Sequence, residues 1–282
     1  MPAATGAAKV IRLNFDSFIA ECRRQWPDFD HPPKLAAARV PLDRRLCNVL
    51  DDVPGMATEN KLLMLNLAVA NLAPGEVYVE VGCYKGATLV GAARGNREAR
   101  VFACDNFSKF DGTEQILRAN LERHAPGQVE FFNLESRRFL ELAPWRPARV
   151  GAYFYDGGHS FRDQFEGLAY AIPSLADDAV VIIDDTNKRE ARSADALVAR
   201  LVPGLEPLLD LRTPRNHHPT WWNGIQLFRY RRAAAAPQAV SDPGAAYAIR
   251  KFWYDDVALN FKHRRRAFNR RVKQMLRAAA GR

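Results

Sequence analysis

Apolar and polar positions change rhythm once along this chain. From about residue 14 to 72 the apolar residues recur at helical spacing, and the segment 59–72 closes this part with Leu62, Leu63, Leu65, Leu67, Val69 and Leu72. The spacing predicts an N-terminal helical cap over residues 1–73. Beyond it, short β-branched runs alternate with helical stretches, the pattern of a mostly parallel sheet with crossover helices. The runs predict seven strands, at 77–81, 101–104, 129–132, 150–155, 179–183, 207–211 and 225–230. Only residues 212–224 separate the last two, too few for a crossover helix, so these two are expected to be antiparallel neighbours. Between the fourth and fifth runs, Phe161, Phe165, Leu168, Ala169 and Ile172 mark one helical face, and Ser160 to Asp163 fits a capping box that starts this helix just after His159. The expected architecture is α/β: an open seven-stranded, mostly parallel sheet with an antiparallel last strand and helices on both faces, over residues 74–232. An alanine- and proline-rich linker follows at 233–246, and then a helical tail at 247–282.

Composition adds limits. With 282 residues, 48% apolar and 26% charged, the chain has room for one large soluble domain and not for two full ones. No apolar run approaches the roughly 20 residues that span a bilayer. The N-terminus, MPAATGAAKVIRLNF, lacks the apolar core of a secretory leader, so the expected location is cytoplasmic. Cys22, Cys47, Cys83 and Cys104 are scattered and form no C-x-x-C pair, which argues against a structural zinc or a disulfide framework.

The net charge of +9 reads differently once it is located. Residues 247–282 carry eleven Lys/Arg and two Asp, leaving thirty basic and thirty acidic residues in the neutral remainder. In this tail, aromatic and aliphatic residues such as Phe252, Trp253, Phe261 and Phe268 interleave with Lys262, Arg264, Arg265, Arg266, Arg270 and Arg271, an amphipathic basic pattern. It suits docking on the body, pairing with another subunit, an anionic membrane surface or a nucleic acid. A homo-oligomer formed through the cap or the tail is a further expectation.

The chemistry concentrates at strand ends. VYVEVGCYKGAT at 77–88 is a buried strand running into a glycine turn and a helix, a turn in which Gly82 and Gly86 let backbone approach a ligand closely. It matches neither a nicotinamide fingerprint nor a P-loop. Asp105 closes the second strand about twenty residues later, where a carboxylate suits the two hydroxyls of a ribose. Asp156 and His159 follow the fourth strand, and Asp184 and Asp185 the fifth. In open α/β sheets ligands bind beyond the carboxyl ends of the strands, so these groups are expected to share one crevice with Gly82. Packed acids repel and raise one another's pKa, a conflict that a shared proton or a cation resolves. Oxygen ligands of this kind suit magnesium, calcium or manganese. His159 titrates near working pH and is placed to take an acceptor proton.

Glu80-x-Gly82-x-x-x-Gly86 together with Asp105 resembles the first two signature regions of class I S-adenosylmethionine-dependent methyltransferases, over about residues 58–230. The resemblance implies a Rossmann-like sheet. It implies that Gly82, Cys83 and Gly86 line the methionine and ribose portions of S-adenosylmethionine, that Asp105 holds the ribose, and that Glu80 holds the loop and reaches toward the cofactor's amino group. Ser136, after the third strand, is placed by the resemblance near the adenine, and as a residue it equally suits a helix cap. The blocks YDGGHSFRDQFEGL and VVIIDDTN are similar to the macrocin O-methyltransferase type, metal-dependent sugar O-methyltransferases, and more distantly to catechol O-methyltransferases. This second resemblance implies a divalent metal, magnesium foremost, on Asp156, Asp184 and Asp185, with His159 as base. The expected function is O-methylation of a small hydroxylated acceptor such as a sugar, a glycoside or a phenol. His217, His218, Trp221 and Trp222, between the last two strands, suit either an acceptor wall or packing against the sheet. The rival readings are a nucleic-acid- or membrane-associated binding module that works through the tail, and a nucleic-acid methyltransferase. An amino-group base methylase is expected to carry Asn/Asp-Pro-Pro-aromatic where this chain has Asp156-Gly-Gly-His159.

Overall fold

The computed structural model describes residues 14–110 and 112–232; the linker at 233–246, the basic tail and its expected partners, and the first part of the cap lie outside the described residues. Four helices come first: α1 (Phe15–Gln25), α2 (Pro32–Leu35), α3 (Val49–Asp52) and α4 (Glu59–Ala70). Strands and helices then alternate through β1 (Glu76–Val81), α5 (Ala87–Ala93), β2 (Arg100–Asp105), α6 (Glu114–His124), β3 (Val129–Asn133), α7 (Ser136–Leu142), β4 (Arg149–Tyr155), α8 (Phe161–Ala169), β5 (Leu175–Asp184) and α9 (Arg189–Leu201). A β6 (Leu205–Leu211) and β7 (Ile225–Arg231) pair ends the described chain.

The sheet order is β3-β2-β1-β4-β5-β7-β6, with β7 antiparallel to both of its neighbours and the other pairings parallel. The expected class, strand count and antiparallel last strand are therefore those observed. β5 begins at Leu175, four residues before the predicted start, because Asp177 and Asp178 interrupt the apolar run. Both acids are paired near the start of β5, Asp178 with Arg229 at 2.6 and 2.8 Å and Asp177 with Arg232 at 2.8 Å. This satisfies their charge without removing them from a strand.

Strand alternation sends Tyr78, Ala152, Phe154, Val180 and Ile182 into one apolar cluster with α1, α4 and α5. Ten of the twelve residues of α4 are buried, so this helix is an inner layer of the core rather than a surface lid. Its first turn is fastened to the loop between β6 and β7: the hydroxyl of Thr58 donates to the carbonyl of Thr220 at 2.8 Å, and Asn60 Nδ2 donates to the same carbonyl at 3.0 Å. On the opposite face Tyr153 donates its hydroxyl to the Gly167 carbonyl of α8 at 2.8 Å. Among the described residues no helix is long and apolar enough to cross a membrane.

Candidate active site

The ends of β1, β2, β4 and β5 open onto one cleft of about 470 Å³. Gly82, Asp105, Ser136, Asp156, His159, Asp184 and Asp185 all line it, while Glu80, Cys83 and Gly86 do not.

The glycine loop is held by the protein itself. Gly82 has φ +84°, and a Cβ there would lie 2.1 Å from the Asp156 carbonyl oxygen. At Gly86, φ +90°, a Cβ would meet Leu117 at 2.7 Å. Both positions thus need glycine for the fold, through the left-handed backbone and the close packing of β4 and α6. Asp105 faces the same loop: its Oδ2 accepts from the backbone N–H of Cys83 at 3.0 Å and of Tyr84 at 2.9 Å, and its Oδ1 from that of Phe107 at 2.8 Å. A carboxylate offers about four acceptor positions, so these three bonds leave Asp105, which lines the cleft, with acceptor capacity. Glu80 is fully buried below the loop, where it accepts from Tyr78 at 2.7 Å and Thr88 at 2.5 Å. Burial pushes its pKa up to about 8 against those two hydrogen bonds, so its placement supports the loop from within the core. Burial also raises the Cys83 thiol well above its ordinary value, which removes it as a nucleophile. Ser136 is the first residue of α7, with Glu135 in the cap position.

The acidic cluster begins beside this loop. The N–H of Asp156 donates to the Val81 carbonyl at 2.7 Å, which sets the turn after β4 against the end of β1. His159 stands immediately before Ser160, whose hydroxyl accepts from the N–H of Asp163 at 3.1 Å, so Ser160 is the N-cap; the Asp163 carboxylate accepts from the Ser160 hydroxyl at 2.7 Å rather than from its backbone N–H, so only half of the expected capping box forms. The Nε2 atom of His159 lies 3.5 Å from Asp156 Oδ1 and 3.2 Å from Asp185 Oδ2. Asp185, with φ +57°, receives Asn223 Nδ2 at 2.5 Å and Lys188 Nζ at 3.1 Å. Burial pushes Asp185 up, but His159, Asn223, Lys61 and Lys188 outweigh it and hold it below the usual carboxylate range. Burial dominates at its neighbours, raising Asp156 to about 8 and Asp184 to about 7. His159 is lowered from its ordinary value, burial outweighing the nearby carboxylates.

Lys61 is the residue the sequence pattern concealed. It sits in the apolar α4 segment with no exposed surface and forms a buried ion pair and hydrogen bond with Asp184. One acid of the three is therefore compensated by the chain. Asp156, His159 and Asp185 each offer one ligand atom within 4.8 Å of the others, a spacing that could hold a metal ion. The metal set expected from sequence differs from this group in having Asp184 in place of His159.

The aromatic segment divides by one residue. Trp221 is fully buried, donates Nε1 to the Leu35 carbonyl at 2.9 Å and packs on Trp26 at 5.3 Å, so it belongs to the core. Trp222 lines the cleft with its ring 4.9 Å from that of His217. His218 instead contacts the Thr220 hydroxyl at 2.7 Å. Tyr84, Asp185, His217 and Trp222, all cleft-lining, have φ between +48° and +57°. Left-handed backbone at bulky residues is strained and gathers where a site's geometry requires it.

Glycine loop, acid after the second strand, and acids after the fourth and fifth strands, on a sheet of this order, give the chain the class I methyltransferase fold. More particularly, residues 79–186 match the family model described as a methyltransferase domain. Solved structures similar to it include the cofactor-bound Rv0187 from MTB, at 19% identity and TM-score 0.52. The O-methyltransferase from Bacillus cereus, in complex with SAH, aligns at 16% identity and TM-score 0.51. The O-methyltransferase TomG from Streptomyces achromogenes, in complex with SAM and involved in tomaymycin synthesis, aligns at 15% identity and TM-score 0.52. Each alignment covers 71% of this chain and 96% of the other. At these identities the likeness is one of fold. No curated protein matches the chain at a significant level.

Proposed function

We propose that the chain is an S-adenosylmethionine-dependent O-methyltransferase acting on a hydroxyl of a small sugar, glycoside or phenol, with His159 as general base and a magnesium-type cation between Asp156 and Asp185. The observation that carries this reading is the single cleft: the glycine loop and Asp105 lie in it together with Asp156, His159 and Asp185. The residues suit the cofactor, since Asp105 keeps acceptor capacity beside a loop that already brings backbone to the cleft. They also suit the cation, since Lys61 pairs with Asp184, and among the described residues Lys188 is the one lysine or arginine in an ion pair with Asp156 or Asp185. Bound TomG and the bound Bacillus cereus enzyme support the same cofactor class.

The sulfonium of S-adenosylmethionine supplies an electrophilic methyl group, and a divalent cation would lower the pKa of an acceptor hydroxyl. The chain's own task is to align the acceptor oxygen and remove its proton. His159 is nearly enclosed, and burial favours the neutral imidazole that could take that proton. Trp222, His217, Asn216 and Asn223 line the cleft, a mix of aromatic and polar groups that suits a flat or partly apolar hydroxylated acceptor.

The test is an acceptor screen of the full chain with S-adenosylmethionine, reading release of S-adenosylhomocysteine in magnesium and in EDTA. His159→Ala is expected to keep cofactor binding and lose turnover. Equal turnover in this variant would remove the base assignment, and unchanged turnover in EDTA would remove the cation.

A further inference from the structure

The segment between β6 and β7 brings the ring pair of His217 and Trp222 to the cleft, and two different parts of the chain fasten it. Thr220 and Trp221 are held by the N-terminal helices: the Thr220 hydroxyl donates to the Ala36 carbonyl at 2.8 Å, and Trp221 Nε1 donates to that of Leu35 at 2.9 Å. Asn223 holds the other side, and it is buried. Its Nδ2 donates to Asp185 Oδ1 at 2.5 Å, its Oδ1 accepts from the His217 N–H at 2.8 Å, and its main-chain carbonyl accepts from the Asn187 N–H at 2.8 Å. Asn187 grips the same segment elsewhere, accepting from the Thr213 N–H at 3.0 Å and donating to the Thr213 hydroxyl at 2.8 Å and to Asn216 at 3.1 Å. His217 and Trp222 both have φ +56°, a backbone that bulky residues keep only where the surroundings impose it.

One side chain therefore joins the acid end of the cleft to its aromatic wall. Asp185 is its acceptor, His217 its donor and Trp222 its neighbour in the chain. An ionised carboxylate only accepts and a backbone N–H only donates, so Nδ2 must face Asp185 and Oδ1 must face His217. A carboxamide meets both demands and a carboxylate of the same shape does not. We propose that Asn223 is a positioning residue that sets the His217–Trp222 wall in register with Asp185, so that an acceptor resting on the rings is held at a fixed distance from the acid end. This deepens the reading of the cleft as an acceptor site and rests on it for the kinetic effect, whereas the register itself does not depend on it. Alignment is the larger part of what the chain does in methyl transfer, and a misplacement of about 1 Å costs on the order of a hundredfold in rate.

The test perturbs Asp185 and reads Trp222 in the nitrogen-15 indole spectrum of the full chain, with Trp222→Phe and Trp145→Phe used to assign two resonances. Asp185→Ala alters no residue between 217 and 223, and is expected to shift or broaden Trp222 while Trp145, packed on Phe102 and Phe139, stays at its parent position. In an Asn223→Ala background, Asp185→Ala is expected to move Trp222 no further; Asn223→Ser carries the same comparison should Asn223→Ala fail to fold. A Trp222 resonance unmoved by Asp185→Ala, or moved equally with and without Asn223, would overturn the proposal. With an acceptor from the screen, Asn223→Ala is expected to lose at least about tenfold in kcat and to raise the acceptor KM, at unchanged KM for S-adenosylmethionine. Asn187→Ala, which releases Thr213 and Asn216 without touching Asp185, is expected to raise the acceptor KM alone. A kcat for Asn223→Ala equal to the parent's would also overturn the proposal. A Trp222 that follows Asp185 only through Asn223, in a chain that methylates no acceptor in the screen, would uphold the register and remove the acceptor reading instead.

Discussion

Lys61→Met removes the one buried cation under the acidic cluster while keeping the length and apolar stem of the side chain. The side chains of Lys61 and Asp184 are 0% and 2% exposed, so neither charge is shared with solvent. Removing one member of such a pair strands the other and costs about 3–5 kcal/mol, whereas replacing both by neutral groups is often close to neutral. The loss is expected near the upper end, because Asp156 and Asp185 also raise the Asp184 pKa by repulsion once Lys61 is gone. The assay is urea denaturation of the parent, Lys61→Met, Asp184→Asn and the double variant at pH 7.5, followed by tryptophan fluorescence from Trp26 and Trp221 in the core. The double variant is expected to recover at least half of the single loss, a coupling characteristic of groups in contact. Magnesium is expected to stabilise Lys61→Met more than the parent, since the cluster then lacks its internal counter-charge. A single loss below about 1 kcal/mol with no recovery in the double variant would refute the assignment of Lys61 as the compensating charge.

Three further outcomes follow from the same geometry. Glu80 titrates at about 8 in the fold against an ordinary 4.5, so its contribution to stability is fully present below pH 4.5 and is lost as the pH rises through 8; the melting temperature of Glu80→Gln should therefore fall less than the parent's between pH 5 and 9, and parallel curves would contradict the buried assignment. Gly82→Ala places a methyl 2.1 Å from the Asp156 carbonyl in a left-handed backbone, and is expected to lower stability by several kcal/mol and shift Asp156; a variant as stable as the parent would contradict the packing role. Trp221→Ala is expected to cost about 3–5 kcal/mol in denaturant, whereas Trp222→Ala should leave stability within about 1 kcal/mol and raise KM for the acceptor; the reverse pattern would exchange their roles.

The strands were legible because parallel strands buried on both faces read as short unbroken β-branched runs. The exception, the start of β5, was hidden because Asp177 and Asp178 look like a turn until Arg229 and Arg232, some fifty residues away, are seen to pair with them. The acids after the strands were legible for a related reason, since the topology alone delivers strand ends to one side of the sheet. Their partners were not. Lys61 reaches Asp184 across 123 positions and Gln164 reaches Asp195 across 31, and spacing along a chain carries no trace of such contacts. A lysine inside ENKLLMLNLAV was nonetheless a clue, because a charge on an otherwise apolar helix is buried only with a partner. Glycine placement was readable while its reason was not: a ligand approach and a crowded neighbouring carbonyl demand the same residue at Gly82. Trp221 and Trp222 differ by one step, and only the backbone of that loop assigns one to the core and one to the cleft.

The central claim is that the cleft seats S-adenosylmethionine with its ribose end at Asp105. Calorimetric titration of the full chain with S-adenosylmethionine tests it directly, with Asp105→Ala alongside. One site per chain in the parent, lost in the variant while its circular dichroism stays that of the parent, is the predicted result. No heat of binding in the folded parent would contradict it.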